Sequence, residues 1–288
     1  MAKMGWQEAL QLDNSLNSLS DYFDSPPEQM ELLSGGLSNR CWKISQDECH
    51  YVWRPVSKST LSFGISRANE FHLLNALNNY SFSPNPVLLN ESGLLVKWIE
   101  GEPVQDQISQ DELLHILASV HKVKINDKPI QKLLFSEKVD HYWMQIKPEF
   151  KTESLERLYK KHREPLYLAE TDRTLCHFDL GAYNLIRTDQ GLGVIDWEYS
   201  AIGDPRMDLA MTIEVSDLNP EVAVAMYCQF RGIGFDAMEE WQEGVKGWLP
   251  KIRLLGLLWY LLGHQLWGTS LYKERAEELQ DQLMKIRS

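Results

Sequence analysis

Residues 177–184 read HFDLGAYN and residues 193–205 read GVIDWEYSAIGDP. The first stretch sets a carboxylate, Asp179, five positions ahead of a carboxamide, Asn184, with His177 two positions before the acid. The second stretch supplies another carboxylate, Asp196, at the end of an apolar run. Phosphoryl transfer from ATP asks little more of a protein than groups of these types. One carboxylate receives or orients the attacking hydroxyl, an amide and a second carboxylate hold Mg2+, a cation steadies the α- and β-phosphates, and a flexible loop covers them.

The spacing H-x-D-x-x-x-x-N is that of the catalytic loop of protein kinases, in which a metal-binding aspartate follows shortly afterwards. Here TDQG at 188–191 separates the apolar runs NLI and LGVID, as a hairpin turn would. Asp179 and Asn184 are then expected on a loop and Asp196 at a strand end. Taken alone, HFDLGAYN is more simply an Asx-type turn bonded to its own backbone. Asp196 in register behind the hairpin favours the chemical reading.

A cation and a helical acid should lie upstream. YVWRPV ends a candidate strand at Arg54, and SRANEF places Glu70 on the following helix, sixteen residues later. A guanidinium forks onto two phosphate oxygens and stays ionised, so arginine could serve where a lysine is usual. The alternative is an exposed strand-edge arginine and a solvated helical glutamate. SGGLSN at 34–39 is the candidate phosphate cover. Gly35 and Gly36 would let backbone N–H groups approach a phosphate, and Ser38 or Asn39 could cap the approach. A Gly-Gly pair is also an ordinary hairpin turn, and the stretch does not follow G-x-G-x-x-G.

These residues need elements to position them. WQEALQLDNSLNSLSDYF predicts a short N-terminal helix, stopped by SPPE. MELLSGGLSNRCWKI and ECHYVWRPV predict strands around a hairpin, ISRANEFHLLNALNNY a helix, and SPNPVLLNESGLLVKWIEGEPV a loop, two strands and a break at 101–103. Beyond residue 104 the helical period dominates, interrupted near 175–198 by strand, loop and strand. The expected fold is α+β: a β-rich N-terminal lobe over 1–100 and a larger, mainly helical lobe over 101–288.

The bulk numbers narrow the partners. The 288 residues carry 41 acidic and 29 basic side chains, a net charge of −12, which disfavours nucleic acid and anionic membranes and suits a cationic small molecule. Cys41, Cys49, Cys176 and Cys228 form no C-x-x-C pair, and nothing at the N-terminus resembles a signal peptide, so free thiols and a cytoplasmic setting are expected. The apolar run LLGLLWYLLG at 254–263 is too short to span a bilayer.

Together, LSGGLSNRCWKI, VWRP, RANEFHLLNAL, VKWIEGEPV, CHFDLGAYNLI and VIDWEYSAIGDPRMDLA resemble the choline kinase and aminoglycoside phosphotransferase family, over nearly the whole chain. The resemblance implies a protein-kinase-like bilobal fold. It further implies Asp179 as catalytic base, Asn184 and Asp196 as magnesium ligands, Arg54 as the α/β-phosphate contact held by Glu70, and a hinge strand at 97–101, with Trp98 and Ile99, whose backbone meets adenine. His177 and Asp208 are expected to brace the loop. Glu198 could be structural, a partner of the metal site or a substrate contact. The lysine that protein kinases carry two residues after the aspartate is replaced by Gly181, and no A-P-E segment follows Asp196, so a small-molecule acceptor is expected rather than a peptide.

For the acceptor, Trp248, Trp259, Tyr260 and Trp267 lie within twenty residues. On one helix the three tryptophans share a broad face, which could hold a cation by cation–π attraction or could be plain aromatic core. The W-x-P spacing followed by W-Y resembles bacterial thiamine kinases. Thiamine is therefore the first expectation, choline or ethanolamine the next, an aminoglycoside the third. A nucleotide-binding pseudokinase without turnover is the alternative outside enzymology.

Overall fold

The computed structural model describes residues 3–33, 40–104, 107–125, 129–166 and 173–286. Gly35, Gly36, Ser38 and Asn39 lie outside the described residues. The chain forms two compact units, Met1–Pro103 with Leu185–Glu198, and Val104–Asn184 with Tyr199–Ser288.

The first unit is built on a six-stranded antiparallel sheet in the order Lys3–Met4, Gln29–Leu32, Trp42–Gln46, Cys49–Pro55, Gly93–Lys97, Pro86–Asn90. Its inner strands alternate large apolar residues toward one face. Trp42, Ile44, Trp53 and Leu95 are buried there with Trp6, Ala9, Leu16, Leu19 and Met30 from the N-terminal segment. Both indoles find partners in that segment: Trp42 Nε1 donates to Asp13 Oδ2 and Trp53 Nε1 to Ser15 Oγ, each at 2.9 Å. The predicted single N-terminal helix is in fact a helix, Trp6–Leu12, followed by a 3-10 turn, Asn14–Leu19. Asp13 ends the first and caps the second by accepting from Ser15 N. Gly93 packs where a Cβ would meet Arg54 O at 2.6 Å and the Trp53 ring at 2.7 Å, so only glycine lets this strand close on Trp53 and Arg54.

The sequence-based boundary at residue 100 leaves residues 185–198 with the second segment; in the structure they group with the first. The reason is pairing. Leu185–Thr188 and Gly191–Val194 form the antiparallel hairpin, and Glu102–Pro103 adds to it as a third strand, Glu102 opposite Arg187. Val194 N also donates to Phe82 O.

The second unit is mainly helical. Its longest helix, Phe235–Trp267, contains Pro250 and packs with Pro205–Val215 and Ser270–Lys285. Helix Gln110–His121 starts on a reciprocal Ser109–Glu112 capping box. A two-stranded antiparallel pair, Thr174–Cys176 with Ala201–Gly203, carries the loop that contains Asp179. Among the described residues no helix is long and apolar enough to cross a membrane.

Candidate active site

In the first unit, Arg54 leaves the sheet beside the N-terminus of helix Arg67–Ala76, which Ser66 caps. The sequence buries Arg67, Glu70, Leu73 and Leu74 on one helical face, two of them charged, and the charges are met by other charges. Arg54 Nε lies 2.8 Å from Glu70 Oε1, and Arg67 NH1 lies 2.5 Å from Glu70 Oε2. Glu198 Oε2 then receives both guanidiniums, Arg54 NH2 at 3.0 Å and Arg67 NH1 at 3.1 Å. The four side chains close a ring of alternating charge. Arg54 NH2 also reaches Asp196 Oδ1 at 2.5 Å.

The charges in this cage sum to −1, three carboxylates against two guanidiniums. Burial opposes the charge on Arg54, but Glu70, Asp196 and Glu198 outweigh it and raise its pKa above the ordinary arginine value. Burial, then the charge of Asp196, push the Glu198 carboxyl up, against the pull of Arg67 and Arg54. Asp196 follows the hairpin strand Gly191–Val194 with a positive φ of 64°, a conformation a non-glycine residue adopts at a cost of about 1–3 kcal/mol. Its side chain is 28% exposed, while that of Glu198 is enclosed at 1%.

Trp98 and Ile99 continue from strand Gly93–Lys97. Trp98 N donates to His50 O at 2.9 Å, and the Lys43 ammonium stands 4.0 Å from the centre of its ring. Ile99 packs on Gly193 of the hairpin.

In the second unit, Asp179 and Asn184 share the loop after strand Thr174–Cys176. Asn184 Nδ2 donates to Asp179 O at 2.9 Å and to Asp179 Oδ2 at 3.3 Å, which leaves its amide oxygen as the atom able to ligate a cation. Tyr183 Oη donates to Asp179 Oδ1 at 2.6 Å. The loop is held from behind by Asp208, fully buried on helix Pro205–Val215. It accepts from His177 N and Phe178 N, each at 2.7 Å, and pairs with His121 Nε2 at 2.9 Å. His121 Nδ1 in turn meets Tyr227 Oη at 2.6 Å. Phe178 takes φ 60°, so the residue just before Asp179 is held in a left-handed conformation by these bonds. His177 is buried, and its carbonyl accepts from Ser200 Oγ.

The aromatic residues separate into two groups. Trp259, Tyr260 and Trp267 cluster with Tyr272 at centroid distances of 5.2–6.2 Å, and Trp259 Nε1 donates to Tyr199 Oη at 2.9 Å. These three are half-buried. Trp248 stands apart from them, buried against Phe135 with its Nε1 on Asp204 Oδ2 at 3.1 Å. Eleven residues advance about 16 Å along a helix, so Trp248 meets different neighbours from Trp259. Burial raises the Tyr260 hydroxyl pKa, against the pull of Arg275 and with Asp179 and Glu278 adding smaller contributions.

Of the three roles open to Glu198, the contacts found are those of a buried anion holding Arg54 and Arg67. Three residues of these clusters were not singled out from sequence. Arg67 stands three positions before Glu70, a spacing that could have suggested a helical ion pair. Tyr183 lies inside the loop motif itself. His121 gives no local signal, since its partner Asp208 is 87 residues away.

A family model described as phosphotransferase enzyme family matches residues 29–241, and the chain belongs to that family. The "Protein LicA homolog" of Metamycoplasma hominis is 28% identical over 217 residues, covering 73% of this chain and 83% of the relative. The thiamine kinase of Escherichia coli O1:K1 / APEC is 26% identical over 210 residues, covering 70% and 72%. Among solved structures, Plasmodium vivax ethanolamine kinase superposes with a TM-score of 0.73 at 15% identity, covering 96% of this chain and 88% of its own. Choline kinase LicA from Streptococcus pneumoniae gives 0.63 at 19%, covering 93% and 97%. The fold is therefore that of the choline kinases and aminoglycoside phosphotransferases, protein-kinase-like, with a β-rich N-terminal sheet and a helical C-terminal part.

Proposed function

We propose that this member of the phosphotransferase enzyme family moves the γ-phosphoryl group of ATP to the primary hydroxyl of a small cationic metabolite, thiamine first, choline or ethanolamine next. The acceptor oxygen bonds to the γ-phosphorus, the bond from that phosphorus to the bridging oxygen breaks with its electron pair leaving on ADP, and the hydroxyl proton passes to Asp179. Arg54 binds the α- and β-phosphates, kept in place by Glu70 and Glu198. The backbone at residues 97–101 receives the adenine.

The residues present fit magnesium. Asn184 offers an amide oxygen and Asp196 a partly exposed carboxylate, the hard oxygen donors that Mg2+ prefers. When bound there, the ion supplies charge neutralisation on the phosphate oxygens. Asp208 holds the peptide groups of His177 and Phe178 and so sets the path of the loop that presents Asp179.

The observation that carries the acceptor class is the half-buried aromatic group Trp259, Tyr260 and Trp267, packed together with Tyr272. Aromatic faces attract an organic cation by about 0.5–2 kcal/mol per ring, and a net charge of −12 does not oppose its approach. Relatives named thiamine kinase and LicA, and a LicA structure solved with AMP, support the same reading. Steady-state assay of Trp259→Ala tests it. The acceptor KM should rise at least tenfold with the ATP KM little changed, whereas equal effects on both would assign Trp259 to packing.

A further inference from the structure

Tyr183 lies between the two polar residues of the loop and has no part in the reading above. Its hydroxyl donates to Asp179 Oδ1 at 2.6 Å, while the Asn184 amide donates to Oδ2 at 3.3 Å. Each oxygen of the carboxylate is thus held by a donor of its own. An aspartate otherwise turns broadly about its last torsion, so two donors on opposite oxygens fix a plane that the side chain would not keep unaided.

The ring reaches this position because residue 181 is glycine. A Cβ built there would stand 2.4 Å from Tyr183 Cε1 and 3.0 Å from both Cδ1 and Cζ. Gly181 is not among the residues with positive φ, so its lack of a side chain provides space for the ring rather than an unusual backbone. The same position is the one at which protein kinases carry a lysine. Tyr183 itself is 54% exposed, so its packing gives little reason for the hydroxyl to be committed to a carboxylate.

We infer that Tyr183, seated on Gly181, is a positioning residue for phosphoryl transfer, fixing the Asp179 carboxylate in the plane from which it receives the acceptor's proton. The inference rests on the assignment of Asp179 as the base. Tyr183 is assigned no contact with ATP or the acceptor, so its removal should slow the chemical step without weakening binding.

The test uses the full chain with ATP, MgCl2 and, in parallel, thiamine, choline and ethanolamine, following acceptor-dependent ADP release. Tyr183→Phe should lower kcat about tenfold, the worth of one hydrogen bond to a charged group, with both KM values within about twofold. Gly181→Ala should reproduce that loss, yet have no further effect when added to Tyr183→Ala, because its Cβ acts only by displacing the ring. A kcat unchanged in Tyr183→Phe, or a fall in acceptor KM, would overturn the inference, as would equal losses from Gly181→Ala in both backgrounds. Asp179→Asn keeps the two readings apart: full turnover in that variant removes the base assignment and this inference with it, while its loss beside an unimpaired Tyr183→Phe removes the inference alone. A second measurement needs no turnover. Nitration of Tyr183 by tetranitromethane, mapped by mass spectrometry, should be slow while its hydroxyl is bonded to Asp179 and about fivefold or more faster in Gly181→Ala, which displaces the ring and frees that hydroxyl. Equal rates would contradict the seating.

Discussion

Replacing Arg67 by methionine removes the cation that links Glu70 to Glu198 while keeping most of its apolar length. Arg67 is 3% exposed, and its NH1 serves both carboxylates, at 2.5 Å and 3.1 Å. Its loss changes the cage from two cations and three anions to one cation and three anions, and Arg54 alone must then answer Glu70, Glu198 and Asp196. Breaking a buried pair by removing one partner costs about 3–5 kcal/mol. Because Arg54 still reaches all three acids, the lower end, about 3 kcal/mol, is expected. Urea denaturation at neutral pH measures it, and Glu198→Gln with the double variant completes a cycle. The double variant should be more stable than the sum of the single losses predicts, by about 1–2 kcal/mol, because the charge left unpaired by one change is removed by the other. In turnover, Arg67→Met should raise the ATP KM more than the acceptor KM, since Arg54 is the group it helps to hold. A loss below about 1 kcal/mol together with strict additivity would refute the picture of a closed ring.

Other outcomes follow from the same contacts. Asp179→Ala and Asp196→Ala should each abolish turnover and leave circular dichroism and thermal unfolding close to the parent, although Asp196→Ala keeps a positive φ that alanine tolerates less well than aspartate. Asp208→Ala should cost about 3 kcal/mol or more by denaturation, because two loop N–H groups and His121 lose a buried acceptor together. Burial first, then Lys161 and Lys251, depress the pKa of His162 from 6.5 to about 4, so the folded state favours its neutral form. The stability this gives is complete above pH 6.5 and is lost as pH falls from 6.5 toward 4, by about 2 kcal/mol after allowing for screening. His162→Gln should flatten that part of the pH–stability curve.

The legible parts of the sequence were those whose causes are local. Five residues of loop suffice to bring the Asn184 amide to the Asp179 carbonyl, so their spacing placed both on one loop. Alternation and turn residues likewise marked the strands Pro86–Asn90 and Gly93–Lys97 and the hairpin at 188–191. What the sequence withheld depends on distant partners. SRANEF looks like a solvated helix start, and only the arrival of Glu198, 131 residues away, gives Arg67 a reason to be buried. The hairpin 185–198 joins the first unit through Glu102 opposite Arg187, a pairing no local pattern announces. The tight turn at Asp47 and Glu48 uses two positive φ values without a glycine, and so carried none of the usual turn signal.

The most direct test of the account is a panel assay in which the purified chain meets ATP and Mg2+ with thiamine, choline, ethanolamine or an aminoglycoside, and products are read by mass. The account predicts a cationic alcohol that gains one phosphoryl group as ADP appears, thiamine most efficiently, with the product lost in Asp179→Asn. Phosphorylation that persists at the parental rate in Asp179→Asn, or ATP consumption that no cationic alcohol accelerates, would contradict it.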